Sequence, residues 1–196
     1  MDPSDDLLRT MAAVPVQSAV LDLGCGEGRH TEPLLRLGFP VHACDPRPEA
    51  VAATRSLVAD LIDEDTAEQC VGQATLETFD YPEETFDWVI AYRAEVYVET
   101  GDDLERLFTE SRRVLKPGGW VYVTLPASEA DLEDEERSGG DGRPVETESD
   151  ATGFAMEQLD ARRHEAELQV AKEPEIVHEA GGPRVHAIYR NVEAGR

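Results

Sequence analysis

Short apolar runs alternate with amphipathic stretches along most of this 196-residue chain. The runs end at glycine, proline or aspartate, and the stretches between them carry apolar residues at helical spacing. This alternation is typical of strand, helix, strand units around a parallel sheet. It predicts strands at 18–23, 41–45, 69–74, 86–92 and 120–125, and helices at 31–37, 48–62 and 102–115. We therefore expect an α/β protein, organised as a single domain over residues 1–196.

The pattern changes after the fifth predicted strand. Residues 127–150 hold ten acids, two arginines and almost nothing apolar, so we expect a flexible acidic insertion there. A helix is predicted at about 153–168, followed by strands at 175–179 and 184–192. The glycines and proline at 181–183 join these last strands, which predicts a hairpin.

Two details of the predicted helices concern single residues. Thr31 is expected to cap the helix that begins there, because its hydroxyl can accept a backbone hydrogen bond. Six residues of the helix at 48–62 recur at helical spacing and are expected to face the core: Ala50, Val51, Ala53, Leu57, Val58 and Leu61.

The charge balance is strongly acidic, with 42 Asp and Glu against 18 Lys and Arg and a net charge of −24. This opposes binding to nucleic-acid backbones and to anionic membranes, because both need clustered positive charge. Only Lys116 and Lys172 are lysines. A dense carboxylate surface with few lysines indicates a high-salt cytosol, and an arginine-rich codon usage in an ordinary acidic protein is the alternative.

The sequence also indicates the cellular compartment and the state of the cysteines. The chain has no run of about 18 apolar residues and begins with an acidic segment where a signal peptide would be basic, so a cytoplasmic protein is expected. Cys25, Cys44 and Cys70 form no CxxC pair and are expected to be free thiols. The histidines and cysteines show no metal-ligand spacing, and no metal site is predicted.

The first predicted strand runs into a glycine-rich turn. Residues 20–28 read VLDLGCGEG, with Asp22 two residues before the first glycine. Glycines in such a turn let a ligand approach the backbone. Asp45 ends the second predicted strand, where a carboxylate can accept hydrogen bonds from both hydroxyls of a ribose. Arg29 stands where a dinucleotide fingerprint needs its third glycine, which opposes a nicotinamide-linked enzyme.

Two further segments complete the set: FDWVI at 86–90 and RVLKPGG at 113–119. Together with VLDLGCGEG and Asp45, in this order and at these spacings, they resemble the class I S-adenosylmethionine-dependent methyltransferases. The resemblance extends over about residues 15–126. It implies a Rossmann-like seven-stranded sheet of order 3-2-1-4-5-7-6 with the seventh strand antiparallel. S-adenosylmethionine would lie across the ends of strands 1, 2 and 4.

The resemblance also implies roles for the site residues. The methionine part and the ribose of the cofactor would be lined by Asp22, Gly24, Cys25, Gly26 and Gly28. Asp45 would accept from the ribose hydroxyls, and Pro46, Gln73 and Ala74 would lie at the adenine. Many relatives carry aspartate where Gln73 stands, so either the glutamine carbonyl or Glu77 would accept from the adenine amino group.

Tyr92 and Arg93 follow the fourth predicted strand and would lie near the transferred methyl group, which makes them the candidate catalytic residues. Candidate general bases are His30, Tyr92, Glu95 and Tyr97. Asp87 is expected to support the start of its strand, and Cys25 to be present for its small size.

The function implied is methyl transfer to a small phenolic, carboxylic, thiol or metalloid acceptor, leaving S-adenosylhomocysteine. Two alternatives remain open at this point: a methyltransferase-like protein that binds the cofactor without turnover, and methylation of a protein or ribosomal component. Neither a Pro-Cys dipeptide after the fourth strand nor an Asp-Pro-Pro-Tyr motif occurs, which opposes methylation of nucleic-acid bases.

Overall fold

The computed structural model describes residues 2–137, 156–179 and 181–192. Its strands are β1 (Val20–Leu23), β2 (Val41–Asp45), β3 (Val71–Gln73), β4 (Phe86–Ala91), β5 (Leu115–Pro126), β6 (Leu168–Glu179) and β7 (Gly182–Asn191). Its α-helices are α1 (Asp5–Ala12), α2 (Thr31–Arg36), α3 (Pro48–Ile62), α4 (Glu64–Cys70), α5 (Gly101–Val114), α6 (Glu129–Arg137) and α7 (Met156–Glu165). A short 3-10 turn spans Ala94–Val96.

All seven strands form one sheet of order β3-β2-β1-β4-β5-β7-β6. The first five strands pair in parallel, whereas β7 is antiparallel to both of its neighbours. The predicted α/β class, strand order and antiparallel seventh strand are therefore confirmed. Because parallel strands run the same way, β1 to β4 all end at one edge of the sheet, which we call the carboxyl edge.

The core lies on both faces of this sheet. All four residues of β1 are buried, as expected for a central parallel strand with helices on each side. One face packs Leu21 and Val89 with Phe108 of α5. The opposite face packs Ile90 with Leu7 and Met11 of α1. The two layers fix the ends of the strands and thus the positions of the residues that follow them.

Helix α1 lies in the acidic segment that was assigned no structure from sequence. Ser4 caps it, since its hydroxyl accepts from the backbone N–H of Leu7 at 3.5 Å. Leu7 and Met11, four residues apart, are fully buried. Helix α4 was likewise not predicted, because its sequence EDTAEQC contributes only Ala67 to the core.

Two predictions about helices were wrong in detail. His30 occupies the N-cap position of α2, and the Thr31 hydroxyl instead donates a hydrogen bond to Asp22. In α3, whose bounds match the prediction, the buried residues are Ala50, Val51, Thr54 and Val58. Ala53 and Leu57 are exposed rather than core-facing, because the buried stripe follows Thr54.

The acidic segment at 127–150 is not wholly a flexible insertion. Residues 129–137 form α6, where the Ser128 hydroxyl accepts from the N–H of Asp131 at 3.2 Å. The remainder of the predicted insertion lies outside the described residues. Helix α7 is shorter than predicted at its described end, and β6 begins at Leu168 rather than at residue 175. The predicted hairpin of the last two strands is confirmed.

Within the described part of the chain, no helix has the length and apolar content needed to cross a membrane. The three cysteines are free, with Cys25 and Cys44 buried.

Candidate functional site

The glycine-rich turn leaves the carboxyl edge at the end of β1. The backbone N–H groups of Gly24 and Cys25 both donate to the carbonyl oxygen of Cys44, at 2.8 and 3.0 Å. The turn is therefore fastened to β2. Cys25 is 4% exposed, and burial raises the pKa of its thiol, so it stays protonated and is no nucleophile at neutral pH.

Gly26 forms the open part of this turn. Its φ of +57° is in the left-handed region, and a Cβ placed on it would meet nothing within 4 Å. Its N–H donates to Asp45 Oδ2 at 3.0 Å. The backbone thus leaves space beside a carboxylate, as a ligand-binding turn requires. At Gly28, by contrast, a Cβ would come within 2.8 Å of the Leu57 side chain.

Asp45 is fully buried at the end of β2 and is held by Arg47. The Arg47 Nε lies 2.9 Å from Oδ1 and its Nη2 lies 3.0 Å from Oδ2, and its backbone N–H donates to Oδ1 as well. Burial raises the pKa of Asp45, but the hydrogen bonds from Arg47 and Gly26 outweigh burial and hold the pKa below its ordinary value. Asp45 is therefore ionised at neutral pH.

Asp22 is the second buried carboxyl at the turn. Its Oδ2 accepts from the Thr31 hydroxyl at 2.6 Å. Burial raises its pKa to about 6, and the nearby negative charge of Asp45 adds to the effect. A carboxyl with this pKa exchanges its proton near neutral pH and favours a positively charged ligand.

The residues after β3 form the far side of the same crevice. Gln73 is exposed and donates through Nε2 to the carbonyl oxygen of Pro46 at 2.8 Å, while its own carbonyl oxygen has no partner in the described part of the chain. The N–H of Ala74 donates to the carbonyl oxygen of Asp45 at 3.2 Å. Glu77 forms an ion pair with Arg106 instead.

A second cluster of polar side chains lies where β4 ends, beside β5 and the hairpin of β6 and β7. We call it the tyrosine-histidine cluster and define it as Tyr92, Tyr122, Glu179 and His186. The Tyr92 hydroxyl donates to Glu179 Oε1, and His186 Nε2 lies 3.2 Å from the same oxygen without forming a regular hydrogen bond. Tyr122 Oη lies 2.9 Å from His186 Nδ1.

The titration behaviour of this cluster follows from its burial. Tyr92, Tyr122 and His186 are each less than 5% exposed. Burial holds the pKa of His186 below its ordinary value despite the attraction of Glu179, so its ring is neutral at pH 7. The Tyr122 hydroxyl and His186 Nδ1 share one hydrogen bond, and the tautomer of the neutral ring decides which of them donates.

Arg93 connects this cluster to the loop that follows β4. Its φ is +61°, and its N–H donates to the Thr124 hydroxyl at 2.8 Å. Its guanidinium lies against Gly181, where an added Cβ would be 2.5 Å from Nη2. The Arg93 Nε is buried without a hydrogen-bond partner within the described ranges.

The four candidate general bases all have partners. His30 Nε2 accepts from the N–H of Ser4 at 3.1 Å, and the Tyr97 hydroxyl donates to the carbonyl oxygen of Ala74 at 3.1 Å. Glu95 pairs with the buried Arg184, and Tyr92 donates to Glu179. Glu179 and His186 were not found from sequence, because only the hairpin β6–β7 brings these distant residues to the carboxyl edge.

Asp87 lies at the opposite edge of the sheet, away from every candidate site residue. It accepts from the N–H of Ala19 and from Lys116 Nζ, both at 2.8 Å, which fits the structural role expected of it. A cavity of about 470 Å³ opens at this edge, and the stacked rings of Trp88 and Trp120 form part of its lining. None of the predicted site residues lines it. The described residues include no group of three or more His, Cys, Asp or Glu that could hold a metal ion.

Comparison with known proteins assigns the chain to a family. Residues 21–123 match a family described as a methyltransferase domain. The chain belongs to this methyltransferase family. The predicted resemblance to class I methyltransferases is thus confirmed.

Curated relatives of this methyltransferase-family chain include two enzymes of ubiquinone biosynthesis. The human mitochondrial ubiquinone biosynthesis O-methyltransferase is 39% identical over 106 residues, which is 54% of this chain and 28% of the relative. The Bradyrhizobium enzyme of the same description is 36% identical over 105 residues, which is 54% of this chain and 38% of the relative. The chain therefore spans well under half of these relatives.

Solved structures with the same fold extend over almost the whole chain. A SAM-dependent methyltransferase from Methanosarcina mazei is 17% identical with a TM-score of 0.72, and the match covers 98% of this chain and 99% of that one. The [4+2]-cyclase SpnF is 19% identical with a TM-score of 0.66, over 95% of this chain and 79% of that one. At these identities the likeness shows the fold.

Proposed function

We propose that this chain transfers a methyl group from S-adenosylmethionine to a small-molecule acceptor and releases S-adenosylhomocysteine. The open space at Gly26 beside the ionised Asp45 is the observation that carries the proposal. Because the chain belongs to the methyltransferase family, we interpret this space as part of the cofactor site. The curated relatives are named O-methyltransferases, which supports an oxygen acceptor, and the matched segment is only part of those enzymes.

Specific residues would hold the cofactor. Asp45 would accept from the ribose hydroxyls after Arg47 moves aside, and Asp22 would face the positive charges of the methionine part, with Gly24, Cys25, Gly26 and Gly28 as the backbone wall. Pro46, Gln73 and Ala74 would lie at the adenine. The free carbonyl oxygen of Gln73 is an acceptor of the kind that an adenine amino group needs.

The chemistry demands little besides position. When bound, the cofactor supplies a methyl group that its sulfonium already activates. The protein then has to hold the acceptor in line and exclude water, and such placement contributes about 7–11 kcal/mol to lowering a barrier. Tyr92 and Arg93 remain the proposed residues nearest the acceptor, because both follow β4 at the carboxyl edge.

The fold also accommodates a second function. SpnF, which shares this fold, is described as a cyclase, so binding of the cofactor alone does not establish transfer of its methyl group. A chain that binds the cofactor and leaves it intact with every acceptor would be a cofactor-dependent protein without methyl transfer.

The test is calorimetric titration of the purified protein with S-adenosylmethionine and S-adenosylhomocysteine, in low salt and in molar KCl. Micromolar binding of both ligands is the expected result. A chain that binds neither ligand in either salt does not have the proposed function. Formation of S-adenosylhomocysteine in the presence of hydroxyl, thiol and carboxylate acceptors then separates methyl transfer from binding alone.

We also propose that the described elements act as one domain in the cytoplasm of a high-salt cell. The excess of 24 negative charges and the presence of only two lysines among the 18 basic residues support this proposal. Unfolding midpoints measured across a range of KCl concentrations test it. A midpoint that does not rise above physiological salt would contradict the salt adaptation.

A further inference from the structure

The tyrosine-histidine cluster leaves one carboxylate oxygen unused. Glu179 engages Tyr92 and His186 through Oε1, and its Oε2 has no hydrogen-bond partner in the ranges that the structure describes. A carboxylate offers about four lone-pair sites, so Oε2 remains able to accept a proton or a hydrogen bond. The side chain is 15% exposed, which leaves it accessible from the carboxyl edge.

The cluster is contiguous with the glycine-rich turn. His30 follows Gly28 by two residues, and its ring centroid lies 4.4 Å from that of Tyr92. The Arg29 guanidinium lies 5.1 Å from the centre of the same tyrosine ring. These contacts place Tyr92 beside the residues that directly follow the turn, and the Tyr92 hydroxyl in turn donates to Glu179.

We propose that Glu179 is the catalytic proton acceptor for a hydroxyl-bearing acceptor, with Tyr92 and His186 as positioning residues. This inference rests on the proposed methyl transfer and adds the chemical class of the acceptor. Of the four bases suggested by the sequence, His30 and Tyr97 bond to backbone groups, and Glu95 is held by the guanidinium of Arg184. Glu179 is instead held by the hydroxyl of Tyr92, the residue that follows β4.

The proton balance supports a carboxylate in this role. The acceptor oxygen uses its electron pair to form the bond to the methyl carbon, and sulfur keeps the pair of the broken carbon–sulfur bond. The acceptor O–H bond breaks, and its proton passes to Glu179 Oε2. When a neutral hydroxyl oxygen is methylated, it becomes a positively charged oxonium whose proton is far more acidic than that of a carboxylic acid. A carboxylate is therefore a sufficient base. Exposure of Glu179 then lets the proton pass to water.

Several charged or titratable groups from different elements surround Glu179 and its two partners. They are Tyr122 on β5, Glu175 on β6, Arg184 on β7, Asp6 on α1, and Arg29 just before α2. The Tyr92 hydroxyl donates to Oε1 and His186 Nε2 lies 3.2 Å from the same oxygen, so both neighbours lie at Oε1 and Oε2 has no partner in the described ranges.

The test uses the whole chain, catechol and 4-nitrocatechol as hydroxyl probes, and thiophenol as an acceptor that is largely ionised at neutral pH. Glu179→Gln keeps the size of the side chain and removes its ability to take a proton. We expect a roughly 100-fold or greater loss of catechol methylation, a smaller loss for the more acidic 4-nitrocatechol, and little loss for thiophenol. Glu173→Gln, which changes an exposed glutamate on the same strand β6, is the matched control and should retain full activity.

A second readout needs no turnover. With S-adenosylhomocysteine present, the visible absorbance of bound 4-nitrocatechol reports its ionisation. Glu179→Gln should lower the pH at which the bound probe ionises, because the variant removes a negative charge beside the hydroxyl. A residue with only a structural role would leave this pH unchanged.

The outcomes separate this inference from the proposed function. Equal losses for all three acceptors, an unshifted ionisation of the bound probe, or wild-type protein that binds the cofactor but methylates neither hydroxyl probe would each overturn the role of Glu179. Calorimetric binding of S-adenosylmethionine should be the same for Glu179→Gln and wild type. Failure of the wild-type chain to bind the cofactor would overturn the proposed function itself.

Discussion

Arg47 donates to both carboxylate oxygens of Asp45, from Nε at 2.9 Å and from Nη2 at 3.0 Å. Asp45 is fully buried and Arg47 is about half exposed, so the pair closes the carboxylate from the solvent side. Any ligand hydroxyl that binds Asp45 has to displace the guanidinium. If Asp45 accepts from the ribose as proposed, the ion pair competes with the cofactor for this carboxylate.

Removal of that competitor should tighten cofactor binding. A half-exposed ion pair contributes about 0.5–1 kcal/mol, so Arg47→Gln should lower the dissociation constant of S-adenosylmethionine about two- to fivefold. Arg36→Gln, which breaks an exposed pair with Glu32 on α2, is the control and should leave the constant unchanged. Weaker binding by Arg47→Gln would show that the arginine contacts the ligand.

Loss of Asp45 itself should have the opposite effect. Asp45→Ala removes the acceptor of the ribose hydroxyls and should weaken binding of S-adenosylmethionine by about 1–3 kcal/mol, as measured by calorimetry. Thermal unfolding of the variant checks that the turn at Gly26 survives the loss of its hydrogen bond. Unchanged affinity in a folded variant would contradict the placement of the ribose.

The open space at Gly26 can be filled with a single methyl group. Gly26→Ala places a side chain at a φ of +57°, which should lower the free energy of unfolding by about 1–2 kcal/mol, and it should weaken cofactor binding at least tenfold by occupying the crevice. Gly38→Ala is the matched control, because Gly38 also has positive φ and free space but follows α2. Equal affinities of the two variants would place the ligand elsewhere.

Asp22 should couple cofactor binding to proton release. Its pKa of about 6 leaves it half protonated at pH 6, and a ligand that carries a sulfonium and an ammonium group favours the ionised form. We expect release of about half a proton on binding at pH 6 and almost none at pH 8. Calorimetry in buffers of different ionisation enthalpy measures it, and Asp22→Asn should abolish the release.

The buried His30 should make stability depend on pH. Burial, with the positive charges of Arg29 and Arg93, lowers its pKa to about 3. In the unfolded chain the imidazole has its ordinary pKa of about 6.5. Below that pH it binds a proton that the native state does not bind. Full stability from this group is therefore present above pH 6.5 and is lost as the pH falls toward 3.

Urea unfolding at pH 7 and pH 5 tests this sign. His30→Gln keeps an acceptor for the Ser4 N–H and cannot titrate. Between the two pH values, the wild type should lose about 2 kcal/mol more than the variant. Asp22 acts in the opposite direction below pH 6, because its raised pKa favours the protonated native state, so only the difference between wild type and variant isolates His30. Parallel pH profiles would show that His30 is charged in the folded protein.

Local signals in the sequence were sufficient for most of the fold. The apolar runs of β1, β2 and β4 and the helical spacing of α3 were strong enough to give the elements and, with the resemblance, the strand order. Helices α1 and α4 were not predicted from the sequence, because they bury only two side chains and one side chain, respectively. Thr31 was predicted as an N-cap from its residue type alone. In the structure its hydroxyl instead donates to the buried carboxyl group of Asp22.

The candidate site divides in the same way. The glycine turn and Asp45 lie next to strand ends that can be located from sequence, so their proximity was predictable. Glu179 and His186 meet Tyr92 only through the pairing of β6 with β7, at a sequence separation of 87 residues for Tyr92 and Glu179. Arg47 was missed for another reason, because no pattern indicates which surface arginine folds back onto a carboxylate.

The two groups of candidate site residues come from widely separated segments of the chain. The ligand-binding turn and Asp45 come from residues 24–45, while Glu179 and His186 come from a hairpin near the other end of the chain. The described hydrogen bond of Gly26 to Asp45 and that of Tyr92 to Glu179 have no side chain in common. Substitutions in the hairpin should therefore be able to change the proposed choice of acceptor without disturbing the glycine-rich turn.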